Sequence, residues 1–157
     1  MEELLLTQDQ ADNLINSLKN ITKTVTGNLT DGTKGMIPII GNDSHPFRLY
    51  YFYAEGNCHL QFMDDRTKLT LVRMNLNNSF HKNADGKVIH GNRVNIFSEK
   101  EFHEKNDGKT NTKAHSLPYQ GLSNTSDFLT ALEELLIFTN TNHRDRIQLS
   151  INQGLLI

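Results

Sequence analysis

The chain has no tryptophan and one cysteine, Cys58, among its 157 residues. A lone cysteine excludes an internal disulfide and any cysteine-based zinc cluster within one chain, and it suits a reducing cytosol. No apolar run approaches membrane-spanning length. The opening stretch Met1-Glu2-Glu3-Leu4-Leu5-Leu6-Thr7 begins acidic and is too short for the apolar core of a signal peptide, so a cytoplasmic location without membrane contact is expected. Charge of one sign is lacking too: 16 Lys and Arg stand against 18 Asp and Glu, for a formal net charge of -2 and a pI near 6.4. This gives no global attraction to phosphate backbones, and indiscriminate nucleic-acid binding is disfavoured. No GxGxxG, P-loop, GxSxG, HExxH or CxxC pattern occurs, which removes the commonest dinucleotide, phosphate, acyl-transfer and metalloprotease readings. Cys58 and His59 do not make a nucleophile and base, because neighbours in a strand point to opposite faces. A buried, structural Cys58 is expected.

What is present fits one α+β domain spanning residues 1–157, long enough for a real core and too short for a second one. Ala11, Leu14, Ile15, Leu18 and Ile21 recur at helical spacing, with Thr7 and Gln10 as a capping box. This predicts an N-terminal helix that the β-branched run Ile21 to Thr26 and Gly27 bring to an end. Asp31-Gly32 and Gly35 read as turns. Met36 to Ile40 reads as an edge strand, since Pro38 lacks an amide hydrogen.

Three antiparallel strands in sequence order are expected next, over Arg48–Ala54, Cys58–Met63 and Lys68–Leu76. Asp85-Gly86 marks a turn, and Arg93 to Phe97 alternates as a further strand, with Val94 and Ile96 inward and Arg93, Asn95 and Phe97 outward. The Glu99 to Thr112 stretch holds almost nothing to bury and reads as an exposed loop. Caps at Asn124, Thr125 or Ser126 precede a second helix carrying Phe128, Leu129, Leu132, Leu135, Leu136 and Ile137. A last strand, with Ile147, Leu149 and Ile151 alternating against Gln148, Ser150 and Asn152, is expected inside the sheet. The predicted architecture is an antiparallel sheet of about five to six strands packed by an N-terminal and a C-terminal helix.

The candidate site lies between Arg73 and Glu99, a polar segment held between strand-like elements. His81, Asp85 and His90 would offer two-His-one-carboxylate chemistry if the loop folded back on itself. Against that stands a plain hairpin in which Asp85-Gly86 turns, Asn83 bonds backbone amides and the histidines meet solvent, and this is the favoured reading. No cofactor and no essential metal is expected. The row Tyr50 to Tyr53, with Arg48, Arg66 and Arg73 nearby, has the composition of a stacking platform for single-stranded RNA, and core and cross-strand packing is its ordinary use. His143, Arg144 and Arg146 form the best local basic cluster for an anionic or nucleic-acid contact.

The string His81-Lys82-Asn83-Ala84-Asp85-Gly86-Lys87-Val88-Ile89, followed by Gly91 to Glu99, a loop, a helix and a strand, resembles a family of small proteins of low-GC bacteria and their mobile elements designated DUF6978. The resemblance covers roughly the C-terminal half. Its pattern is a His-x-Asn-x-Asp-Gly turn followed by a strand with paired histidines, and it implies no assigned activity. His81, Asn83, Asp85, Gly86 and Glu99 match. Arg93 and Asn95 stand where the strand histidines are expected and Phe97 at the aromatic position, so metal binding or proton shuttling by that pair is not carried over.

Heavy use of Asn, Lys, Ile and Leu suggests an AT-rich genome, such as that of a low-GC bacterium or its phage. Together with the resemblance and the missing catalytic motifs, it favours a non-enzymatic binding protein that docks on a host or defence complex, for example as a CRISPR-nuclease inhibitor acting in counter-defence. Arg93, Asn95, Phe97, Glu99, Arg144 and Arg146 would be its contact residues. The alternatives are a small RNase-like or metal-dependent enzyme, such as a toxin, using His81, Asp85, Arg93 and Glu99, and a structural or oligomeric module.

Overall fold

The computed structural model describes residues 3–151. The chain starts with α1 (Gln8–Asn16), where Thr7 Oγ1 accepts from Gln10 N and Gln10 Oε1 accepts from Thr7 N, the expected capping box. The helix is shorter than its periodicity suggests. Lys19–Ile21 is strand β1, with Lys19 and Ile21 buried, so the helical spacing through Ile21 joins residues of two different elements.

Strands β2 (Val25–Leu29), β3 (Thr33–Gly41), β4 (Pro46–Tyr53), β5 (Cys58–Asp64) and β6 (Thr70–Leu76) follow. The hairpin β7 (Phe80–Lys82) and β8 (Val88–His90), β9 (Arg93–Phe97), α2 (Glu99–Lys105) and β10 (Thr112–Ser116) come next. The described chain ends with α3 (Phe128–Phe138), β11 (Thr141–Asn142) and β12 (Ile147–Ile151). The β4–β5–β6 meander is antiparallel and in sequence order, as the turn signals predict.

The main sheet has eight strands, not five to six, in the order β10-β9-β6-β5-β4-β3-β1-β11. The extra strands are β1, hidden in the helical periodicity, and the short β10 and β11 at the two edges. All pairings in it are antiparallel except that of β1 with β11.

Two strand placements differ from expectation. β3 is interior, between β4 and β1, but the β1 ladder reaches only Ile39 to Gly41, so the stretch holding Pro38 has a strand neighbour on one side only. A proline lacking its amide hydrogen is tolerated there as it is at an edge. β12 does not enter the main sheet; it pairs in parallel with β2 in a separate two-stranded ladder. Asn152, expected to continue that strand, lies outside the described residues, as do Met1 and Glu2.

One face of the sheet carries the core. Phe128, Ala131, Leu132, Leu135 and Leu136 of α3 and Ala11 and Ile15 of α1 are buried with Ile37, Leu49, Leu60, Phe62, Val72, Met74 and Val94 from the strands. Cys58 is buried with them, its Sγ donates to the Ala54 carbonyl, and burial pushes the thiol pKa up. That leaves it inert.

The opposite face is polar and partly roofed by the β7–β8 hairpin and α2. The 99–112 segment is therefore not a bare loop. Ser98 Oγ accepts from Glu101 N to start α2, and Glu101 and Phe102 are buried. The Glu101 carboxylate accepts from Ala84 N at 2.6 Å instead of returning to Ser98, which ties the helix to the hairpin. Asn83 completes the roof: Ala114 N donates to its Oδ1 and its Nδ2 donates to Ala114 O, both at 2.9 Å. A buried side-chain amide thus acts as one more strand residue beside edge strand β10 and blocks further pairing there.

Candidate anion site on the polar face of the sheet

The site grows from a repeated dipeptide pattern. β6 carries Arg73-Met74-Asn75 and β9 carries Arg93-Val94-Asn95, and alternation sends Met74 and Val94 to the core and all four polar side chains to the other face. Antiparallel pairing crosses them, so Arg73 faces Asn95 and Asn75 faces Arg93. β5 adds Gln61 opposite Arg73 and His59 opposite Asn75, and β4 adds Tyr50 and Phe52 beyond these.

Arg73 is the hub. Its Nε donates to Asn75 Oδ1 at 3.1 Å, its Nη1 to Gln61 Oε1 at 3.0 Å, and its Nη2 reaches His59 Nδ1 at 3.2 Å. Since a guanidinium only donates, His59 Nδ1 is the acceptor and Nε2 carries the ring proton. Burial, and then the charge of Arg73, lower the His59 pKa and keep that ring neutral at pH 7.

Arg93 is 6% exposed, and its Nη1 donates to Asn77 Oδ1 and Gly91 O, both at 2.9 Å. Every acceptor of both arginines is neutral, and among the described residues neither forms an ion pair. Burial pushes both guanidinium pKa values down, and for Arg93 the neighbouring charge of Arg73 adds to the effect. Two adjacent cations thus share a partly desolvated face with no ion-pair partner for either among the described residues, which is electrostatically costly.

Behind them, Asn95 is also 6% exposed and its Nδ2 lies 3.4 Å from His81 Nδ1. Asn95 Oδ1, Arg93 Nε and His81 Nε2 are buried with no hydrogen-bond partner among the described residues. Burial, followed by the charges of Lys105 and Arg93, lowers the His81 pKa.

The face containing Arg93, Asn95 and Phe97 is therefore not an outward one. Arg93 and Asn95 lie beneath the hairpin, and Phe97 is 2% exposed and belongs to the core. Their shared face was legible from alternation; the roof over it was not.

The other expected residues separate. Asp85 Oδ1 accepts from Lys87 N inside the hairpin turn, and Gly86 takes the positive φ of 90° that this turn requires. His81 pairs with Ile89 and His90 with Phe80, so the two histidines occupy opposite faces of the hairpin and do not converge with Asp85. Glu99 Oε1 accepts from Gln8 N at the start of α1, and its other oxygen lies 3.9 Å from His103 Nε2, so it turns away from the hairpin that Glu101 grips. Of the four residues considered for catalysis, only His81 and Arg93 adjoin the same polar cluster. Among the described residues, no group of three or more His, Cys, Asp or Glu side chains is placed to hold a metal ion.

His143, Arg144 and Arg146 follow β11 at the far edge of the sheet, where His143 and Arg144 lie beside the exposed Leu18 and Ile137. Six strand-to-strand steps separate β11 from β9 in the sheet order, and these residues share no hydrogen bond with the Arg73 cluster among the described residues. Gln61, Asn75 and the twin Arg-x-Asn pattern were not among the expected site residues, and His59 was weighed only as a partner for Cys58. The signal was the i, i+2 recurrence of large polar residues on three strands destined to be neighbours.

The fold and this face define the molecule as an α+β protein with one apolar, helix-covered sheet face and one polar, partly roofed face bearing uncompensated cations. The chain belongs to the family described as "Family of unknown function (DUF6978)", whose model matches residues 6–141. The match runs from the approach to α1 into β11, well beyond the C-terminal half that carries the hairpin pattern. No curated protein and no solved structure matches the chain. No helix among the described residues is long and apolar enough to cross a membrane.

Proposed function

We propose that this chain acts by binding, and that it takes an acidic ligand on the polar sheet face at Arg73. The observation that carries the reading is the Arg73 and Arg93 pair, adjacent, partly to fully buried and held by neutral acceptors only. A bound anion supplies the missing counter-charge, and charge-assisted, bidentate contact is what a guanidinium makes best. Exposure on the two arginines is unequal: Arg73 is half-buried and reachable, whereas Arg93 adds charge from beneath the roof.

The setting we infer is a host or defence complex of a bacterium or its phage, with inhibition of a CRISPR nuclease as one case. This rests on small size, composition and the absence of catalytic motifs. The RNase-like or metal-dependent alternative loses its original constellation, because Asp85 and Glu99 are engaged away from His81.

Arg73→Gln removes the charge and leaves a shorter polar amide on the same face. It should weaken capture of the partner from the native host by about 2 kcal/mol, as expected for an interface anchor, with the fold retained by circular dichroism. Equal recovery by wild type and variant would place the contact elsewhere.

A further inference from the structure

We propose that the groove beside Arg73 is a nucleotide site, taking a phosphate at the guanidinium and a base on the aromatic wall formed by Tyr50, Phe52 and His59. This rests on the reading that the polar face binds an acidic ligand, and it names the chemistry of that ligand.

The groove has a volume of about 450 Å³ and is lined chiefly by Met36, Tyr50, Phe52, His59, Gln61 and Arg73. That volume lies within the usual range for small-molecule sites. Its charge is of one sign. Arg73 bounds it on β6, and Lys34, on β3 opposite Phe52, adds an exposed ammonium with no carboxylate partner among the described residues. Arg93 and Asn95 continue the same polar face beside Arg73, and the Arg93 guanidinium adds a second positive charge there.

Its wall is chiefly aromatic. The Phe52 and His59 rings lie 4.9 Å apart at 31°, Tyr50 and Met36 are each 38% exposed, and these four side chains cover neighbouring strands on one face. Aromatic side chains displayed on a sheet face with a cation at one side match a base joined to a phosphate. A run of acidic residues alone would use the arginine and leave the aromatic surface without a partner. Because Arg73 occupies Nδ1 of His59, the neutral ring keeps a donor at Nε2 for an acceptor on a base or phosphate. Gln61 acts as a positioning residue: its Oε1 holds Arg73 while its Nε2 donates to Thr70 Oγ1 at 2.6 Å, so the guanidinium is fixed before any ligand arrives.

The same chemistry could come from a free nucleotide or from one unit of a single strand, and the test separates them. Fluorescence anisotropy would be measured with a labelled single-stranded RNA of about eight nucleotides, the same strand in a duplex, and a labelled oligoglutamate peptide, with AMP and UMP as competitors. The expected result is binding of the single strand that weakens with salt, weak or no binding of the duplex, and a loss of roughly tenfold or more on Arg73→Gln and on Tyr50→Ala. Competition by AMP or UMP at concentrations matching the strand would make the free nucleotide the ligand, and its absence would make it the strand. Tyr50 is exposed, so its variant guards against a loss of fold in the arginine variant.

If the peptide binds in an Arg73-dependent way and neither strand nor nucleotide does, the nucleotide proposal is overturned while the anion reading stands. If nothing binds, or if RNA binds equally to wild type and both variants, both fail at this site.

Discussion

The ammonium of Lys19 donates at 2.7 Å to the carbonyl of Thr139, the C-cap of α3, joining residues 120 apart in sequence. The same nitrogen donates to Ile15 O at 2.8 Å and Ser17 O at 2.7 Å at the end of α1, and lies 5.1 Å from the Phe47 ring centroid and 5.5 Å from that of Phe62. Lys19 is 0% exposed. One cation thus closes the carbonyl ends of both core-covering helices, where orphan carbonyls and the helix dipole attract positive charge.

Burial lowers the Lys19 pKa from 10.5 to about 7, while the three carbonyls and two ring faces favour the proton. Between pH 7 and 10.5 the unfolded chain then binds a proton that the folded chain has released, so stability rises with pH across that window. Wild type should gain up to ~1.4 kcal/mol per pH unit relative to Lys19→Met. Urea unfolding of both proteins at several pH values reads the difference, and parallel curves would sink the expectation. At pH 7 Lys19→Met should also be less stable by about 2 kcal/mol, because three carbonyls lose their donor.

Phe97→Ala should destabilise by roughly 3–5 kcal/mol, since the ring is 2% exposed and belongs to the core. Leu132→Ala, on the sheet-facing side of α3, should cost roughly 2–5 kcal/mol. Denaturant midpoints measure both. A Phe97→Ala protein as stable as wild type would return that face to the surface.

Acid should act in two stages. Burial lowers the pKa of His59, His81 and His115, so these rings bind protons more readily in the unfolded chain, and stability is lost as pH falls below about 6.5. Asp64 is different. Its burial would raise the pKa, but hydrogen bonds from Thr67, His45 and Arg66 outweigh that and lower it, so its stabilisation is lost only as pH falls below about 4. His81→Asn should reduce the first stage, with His59 and His115 keeping the rest of it, and leave the second; an unchanged profile would remove His81 from the linkage.

Ending the chain after Arg146 removes β12, whose only strand partner among the described residues is β2. The truncated protein should still melt cooperatively, at a lower temperature, because Ile147, Leu149 and Ile151 are only partly buried against the core. Loss of the cooperative transition would show that the small ladder is required for folding.

Alternation and turn chemistry, read along the chain, were enough for the β4–β5–β6 meander, the Asp85-Gly86 turn, the α1 capping box, the apolar face of α3 and the shared face of Arg93, Asn95 and Phe97, because each depends on neighbours a few residues apart. The β1 strand was masked, since Leu18 and Ile21 continue a helical period by coincidence, and α2 was masked because a seven-residue helix with one buried aromatic carries almost no periodic signal. Which strand lies beside which, and what covers a face, depended on contacts across the whole chain. Only the tertiary structure set the two Arg-x-Asn pairs against each other, placed the hairpin over Arg93, sent β12 to β2 and brought Lys19 to Thr139. Those decisions turn on which elements meet and on the pairing of polar groups far apart in sequence, and local pattern fixes neither.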